Sequence, residues 1–218
     1  MPGETDIERI VQTLKERYYN DSSALADVSS HTRDPFKVLI SCLLSLRTKD
    51  EVTAEAAKRL FTRAGTPEEM LQLTKEEIER LIYPVGFYHR KAEQILEVSR
   101  VLIDKYNSRV PDEISELLNF KGVGRKTANI VVTMGYNKLG VAVDTHVHRI
   151  SNRLGLVTTK TPEQTEFALR DLLPEKHWIV FNNLLVMHGQ NICTPISPKC
   201  SICPITAYCK RVGVTRAR

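Results

Sequence analysis

The stretch LNFKGVGRKTANIVV, Leu118 to Val132, reads as the end of one helix, a tight glycine turn and the start of an apolar second helix. Gly122 and Gly124 permit positive φ and let a foreign backbone come close. Lys121, Arg125 and Lys126 crowd the mouth of the second helix, where the helix dipole is already positive. Repulsion there asks for a compensating anion, or for a lysine that gives up its proton. The N–H groups that open a helix lack intrahelical partners and suit a phosphate. A nucleic-acid strand is therefore the expected anion, with Lys121, Gly122, Val123, Gly124 and Arg125 as candidate contacts. Such contacts position a duplex without reading its sequence. A plain helical hairpin, with glycines serving only the turn, fits the same residues. The longer glycine-rich layout of a triphosphate-binding loop is missing.

Lys126 falls in the first turn of that second helix. Lys121, Arg125 and the dipole all disfavour its charged form, and a neutral amine is a nucleophile suited to forming a Schiff base with a sugar carbon. A phosphate-binding lysine is the simpler alternative. Asp144, in VDTHVHR, stands where another helix begins and has the makings of an N-cap. It is also the one acid among the six basic residues between Lys121 and Arg153. A carboxylate near Lys126 would shuttle a proton or stabilise a cationic sugar. His146 and His148, two apart, point to different helix faces and do not look like a metal pair.

The basic stretch from Lys121 to Arg153 suits a polyanion, in a chain whose formal net charge is +5. Hydrophobic residues make up 42% of the 218 residues, enough for a packed core. No run of 18 apolar residues occurs, and the N-terminus lacks the layout of a secretory signal. The expectation is a soluble protein of the cytoplasm or nucleoid of a prokaryote, with the nucleus as an alternative.

Around the hairpin the periodicity is helical nearly throughout, with apolar positions repeating at three and four residues. Helices fit Phe36–Leu46, Val52–Phe61, Lys91–Tyr106, Lys126–Met134, Thr145–Leu154, Glu163–Leu172 and Trp178–Met187, after an N-terminal one whose face carries Ile7, Ile10, Val11, Leu14 and Tyr18. Capping signals stand at Thr5–Glu8, Thr66–Glu69, Thr74–Glu77 and Thr161–Gln164, two of them followed by Pro67 or Pro162 at the first helical position. Asp34-Pro35 opens another helix, and Val141-Ala142-Val143 reads as a buried extended connector. An all-α fold of about ten short helices follows. The basic tail Lys210–Arg218 is expected to fray.

Four of the five cysteines, Cys193, Cys200, Cys203 and Cys209, form C-x6-C-x2-C-x5-C. Inside a cell such a set points to metal rather than to disulfides. Zinc and a [4Fe–4S] cluster both accept four thiolates. The single short hook leans toward the cluster, in a structural role. Cys42, in the apolar LISCLLSL, is expected in the core.

These motifs together resemble the endonuclease III family of helix-hairpin-helix DNA glycosylases. The resemblance rests on LNFKGVGRKTANIVV, VAVDTHVHRISNRLG and the cysteine loop, and extends from DPFKVLISCLLSLRTKD through LIYPVGFYHRKAEQI to Cys209. It implies a fold of two all-α domains facing a DNA groove. Residues 30–140 would form a six-helix barrel holding the hairpin at about 113–135. Residues 1–29 and 141–218 would form a discontinuous cluster domain. It also implies a bifunctional glycosylase and AP lyase, in all expectation a monomer, that removes oxidised pyrimidines from duplex DNA. The family's lysine falls on Lys126, its aspartate on Asp144, and its [4Fe–4S] ligands on Cys193, Cys200, Cys203 and Cys209. Two positions depart from the family pattern. Arg47 stands where a glutamine often fills the gap left by a flipped base, and Phe87 where a smaller apolar wedge is common. The alternatives are a monofunctional mismatch glycosylase and a non-catalytic, redox-sensing DNA-binding protein.

Overall fold

The computed structural model describes residues 4–19 and 34–218, and all of their regular structure is helical, with no strand among them. The described chain divides into two compact units, one made of residues 34–138 and the other of residues 4–19 and 139–218.

The first unit is built around α2 (Pro35–Ser45), whose apolar run buries Phe36, Leu39, Ile40, Leu43 and Leu44. Asp34 caps it, its carboxylate accepting from the Phe36 and Lys37 N–H groups, and Pro35 takes the first helical position. Around α2 run α3 (Asp50–Arg63), α4 (Pro67–Leu71), α5 (Lys75–Ile82), α6 (Tyr88–Tyr106), α7 (Ile114–Leu117) and α8 (Arg125–Ile130). The expected caps form on α4 and α5. Thr66 accepts from the Glu69 N–H, and Thr74 with Glu77 makes a full reciprocal capping box. The unit's core takes Leu60, Ile78, Ile82, Ile95, Leu102 and Ala128.

The second unit packs α1 (Glu4–Tyr19) with α9 (Thr145–Leu154), α10 (Pro162–Leu172) and α11 (Trp178–Asn191). Ile7, Ile10 and Leu14 of α1 lie in one core with Val147, Ile150, Leu169, Phe181 and Leu184. Thr161 caps α10 by accepting from the Gln164 N–H. The Val141–Val143 connector is buried and non-helical as expected, and the Asn182 amide ties it down through the Ala142 carbonyl at 2.9 Å.

Two local expectations are corrected. Thr5 is not an N-cap: α1 already includes Glu4, so Thr5 sits inside the first turn. Nor does the tail from Lys210 fray. The Lys210 and Val212 N–H groups donate to the carbonyls of Leu154 and Arg153, and the Arg218 N–H donates to Pro198. Backbone hydrogen bonding, which composition does not reveal, holds the basic end against the cysteine loop. Among the described residues no helix is long and apolar enough to cross a membrane.

Candidate nucleic-acid interface and metal centre

The glycine turn forms as read. After α7, Phe120 N–H donates to Leu117 and Val123 N–H to Phe120, so the chain tightens through two turns before α8. Leu117, Phe120 and Val123 are buried and fasten the hairpin to the core of the first unit. Gly122 has φ of 77°, a conformation that favours glycine, and a Cβ there would collide with the Gln94 amide. Gly124 differs from expectation. Its φ of −99° and ψ of 175° are ordinary extended values. A Cβ on it would meet nothing within 4 Å. Gly124 is thus the N-cap of α8 with open space beside it, and no side chain caps the first N–H groups. Lys126 is half-buried in that first turn. Past Ile130 the helix widens into a π turn, Val131–Gly135.

The crowding of cations at the hairpin is looser than the linear pattern suggests. The Lys121 ammonium lies 3.0 Å from the Glu97 carboxylate, both well exposed. Lys138 pairs with Asp112 at 3.0 Å and with Glu113 at 2.7 Å.

Arg47 and Phe87 come together. Both have left-handed backbones, φ of 55° and 59°, and the Arg47 guanidinium stands 5.7 Å from the Phe87 ring centroid. Phe87 is 62% exposed. Left-handed conformations of bulky residues concentrate at working surfaces. Arg47 and Phe87 line one groove with Arg90, Lys91, Gln94, Lys121 and Gly122, so two of the five hairpin candidates, Lys121 and Gly122, share a face with the wedge residues.

Two residues of that face were not singled out from the sequence, Lys91 and Gln94. Lys91 is only 5% exposed. Its ammonium donates to the Leu44 carbonyl at 2.8 Å, the Leu46 carbonyl at 2.6 Å and the Thr48 hydroxyl at 3.1 Å. Burial pulls its pKa down to about 8, while three oxygen acceptors favour the ammonium form. Gln94 donates its amide to the Lys121 carbonyl under the glycine turn. The only sequence signal was spacing: Phe87, Lys91, Gln94 and Glu97 fall on one helical stripe.

In the second unit, Asp144 is the N-cap of α9 and accepts from the His146 and Val147 N–H groups at 2.8 and 2.9 Å. The capping role is therefore real. His146 and His148 find separate partners, Arg149 and Thr165, and belong to no metal-binding group among the described residues.

Cys193, Cys200, Cys203 and Cys209 line one cavity at the end of the second unit. Among the described residues no three His, Cys, Asp or Glu side chains converge as a single ion requires. Four thiols spaced around a cavity, with no carboxylate, fit a cluster that offers one iron to each sulfur. Burial pushes the Cys203 thiol up to about 11 and raises Cys209, and neighbouring cysteines push both the same way. A positively charged metal centre relieves that repulsion. Arg153 donates to Cys193 Sγ at 3.4 Å and the Arg211 N–H to Cys209 Sγ at 3.4 Å, the kind of donor that stabilises a metal-bound thiolate. Cys42 packs against the other unit's core, where burial pushes its thiol up to about 12.

Comparison with known proteins agrees with this geometry. Residues 40–175 match the model of the HhH-GPD superfamily base excision DNA repair proteins, and residues 193–209 that of the iron-sulfur binding domain of endonuclease III. Endonuclease III of Thermotoga maritima is 52% identical over 81% of this chain and 83% of its own length. The chain belongs to the endonuclease III family. Endonuclease III-like protein 1 of Mus musculus is 43% identical, though the match spans only 59% of that longer protein. A solved structure of a trapped endonuclease III–DNA covalent intermediate superposes with a TM-score of 0.84 over 97% of both chains at 32% identity. A thermostable thymine-DNA glycosylase follows at 0.82 and 28% identity, over 95% of this chain and 96% of the other. Family membership makes the protein a base excision repair enzyme, a bifunctional DNA glycosylase and AP lyase with a [4Fe–4S] cofactor and DNA as its partner.

Proposed function

We propose that this glycosylase and AP lyase removes oxidised pyrimidines from duplex DNA, with Lys126 as nucleophile and Asp144 as the assisting carboxylate. The observation that carries the reading is Lys126 itself, half-buried in the first turn of a helix whose N-cap is a bare glycine. The sugar–phosphate backbone passes over Gly122 and Gly124, where α8 offers N–H donors and Arg125 offers charge. Arg47 and Phe87 enter the base stack and replace the nucleotide that swings out. Extrusion costs a few kcal/mol, less for a lesion than for a sound pair, which supplies part of the selectivity.

The Lys126 Nζ lone pair then attacks C1′. The glycosidic bond breaks and its electron pair leaves with the base. Asp144 stabilises the developing positive charge or takes the amine proton. The nitrogen gives up one proton, its lone pair forms the C=N bond of a protonated Schiff base, and the C1′–O4′ bond breaks with O4′ taking a proton. Removal of a C2′ proton expels the 3′ phosphate, which breaks the strand by β-elimination. Residues 34–138 serve as the barrel domain and residues 4–19 and 139–218 as the cluster domain. Cys193, Cys200, Cys203 and Cys209 hold the [4Fe–4S] group, which supplies structural cross-linking of the tail rather than a reaction step. The enzyme works as a monomer.

Borohydride reduction during reaction with a thymine-glycol duplex tests the assignment. A covalent adduct mapped by peptide mass to Lys126 is expected. An adduct on another residue, or equal trapping by Lys126→Ala, would overturn it.

A further inference from the structure

The Arg47–Phe87 pair needs something to hold it, since two bulky residues in left-handed conformations on an exposed surface do not stay there unaided. The residues around Arg47 supply the constraint. The turn Leu46–Thr48 follows the end of α2, where helix carbonyls lack intrahelical partners. Lys91, one turn into α6 from Phe87, reaches under that turn and takes the carbonyls of Leu44 and Leu46 and the hydroxyl of Thr48. Thr48 in turn accepts from the Gly86 N–H at 3.2 Å. Gly86 itself lies so close that an added Cβ would stand 2.7 Å from the Arg47 carbonyl oxygen. One buried ammonium thus joins the segment carrying Arg47 to the segment carrying Phe87.

We propose that Lys91 is a positioning residue for duplex opening, a strut that fixes Arg47 beside Phe87 so that the pair enters the helix stack as a unit. It touches neither the sugar nor the reacting atoms. The proposal rests on the reading of Arg47 and Phe87 as the residues that enter the duplex. Its consequence concerns double-stranded substrate: single-stranded abasic DNA has no opposing base to replace, so it makes far less use of the strut.

The quantity to measure is the ratio of borohydride-trapping rates on an abasic site in duplex and in single-stranded DNA, with circular dichroism and melting to confirm folding. Lys91→Met keeps the length and apolar stem and removes the ammonium. Gly86→Ala displaces the same turn while leaving Lys91 intact, and decides the matter if Lys91→Met does not fold. Arg47→Ala and Phe87→Ala calibrate the underlying reading. Both strut variants should lower the ratio about tenfold, as expected for lost charge-assisted hydrogen bonds, with the fall matching that of Arg47→Ala. If Arg47→Ala lowers the ratio but folded Lys91→Met and Gly86→Ala do not, Lys91 is not the strut. If Arg47→Ala and Phe87→Ala both leave the ratio unchanged, the duplex-entering role itself fails, a distinct outcome.

Discussion

The hairpin mouth and the arginine helix α9 look alike in sequence, each a short basic run, yet they stand in different surroundings. At the mouth, Arg125 and Lys126 stand in the first turn of α8 beside the open Gly124. In α9, Arg149 donates to the Cys193 carbonyl at 2.9 Å, and Arg153 to the carbonyls of Thr194 at 2.7 Å and Pro195 at 2.6 Å. These guanidiniums are internal braces for the cysteine loop. Charge counted along the chain therefore overstates the field offered to DNA, because a cation fixed on carbonyls is partly withdrawn from the surface.

The contrast can be broken by substitution. Lys126→Ala should reduce Schiff-base trapping at least about a thousandfold while leaving the visible absorbance of the cluster intact. Arg153→Ala should act on the other side. Losing charged hydrogen bonds to two carbonyls destabilises the loop by about 2 kcal/mol, read as faster bleaching of the cluster by chelator and a lower melting temperature. If Arg153→Ala instead weakened DNA binding with an unchanged cluster, the brace assignment would be wrong.

Smaller effects sharpen the comparison. Arg125→Ala should weaken binding evenly across DNA sequences and reduce the salt slope by about one, measured by titrating a fluorescent duplex at several salt concentrations. The groove residue Lys91 adds a pH dependence. Burial holds it at about 8, so the ammonium form with three donors prevails below that pH and the two-donor amine above it. As pH rises through about 8, the wild-type duplex-to-single-strand ratio should fall a few-fold. Arg90, Glu93, Glu97 and Lys121 share the groove and are common to both proteins, so Lys91→Met should show a flatter profile. The smallest effect belongs to Lys138→Ala. That ammonium is already committed to Asp112 and Glu113 on an exposed surface, so DNA affinity should change by less than about twofold.

Local chemistry was legible in the sequence where it depends on neighbours. The caps at Asp34, Thr66, Thr74 and Thr161 and the helices behind them form as their spacing predicts. So does the positive φ of Gly122. What escaped depends on residues far apart in the chain. Lys91 finds its acceptors 43 to 47 positions away, and Arg153 meets the cysteine loop about 40 positions on. Gly124 carries a different lesson. Its backbone is one that any residue adopts, so its use lies in the clear space beside it, which only coordinates reveal. The metal question closed through kinship: the residue types allowed zinc, and the match of residues 193–209 to the iron-sulfur binding domain of endonuclease III decides for the cluster.

Helix α6 works as a ruler. Lys91 holds the turn of Arg47, Gln94 grips the carbonyl beneath the glycine turn and Glu97 holds Lys121, all on one stripe less than two turns long. The spacing between the Arg47 turn and the glycine turn is thereby written in helical pitch. Inserting one residue between positions 91 and 94 would rotate the later half by about 100° and take the two loops out of step, even though neither loop had itself been altered.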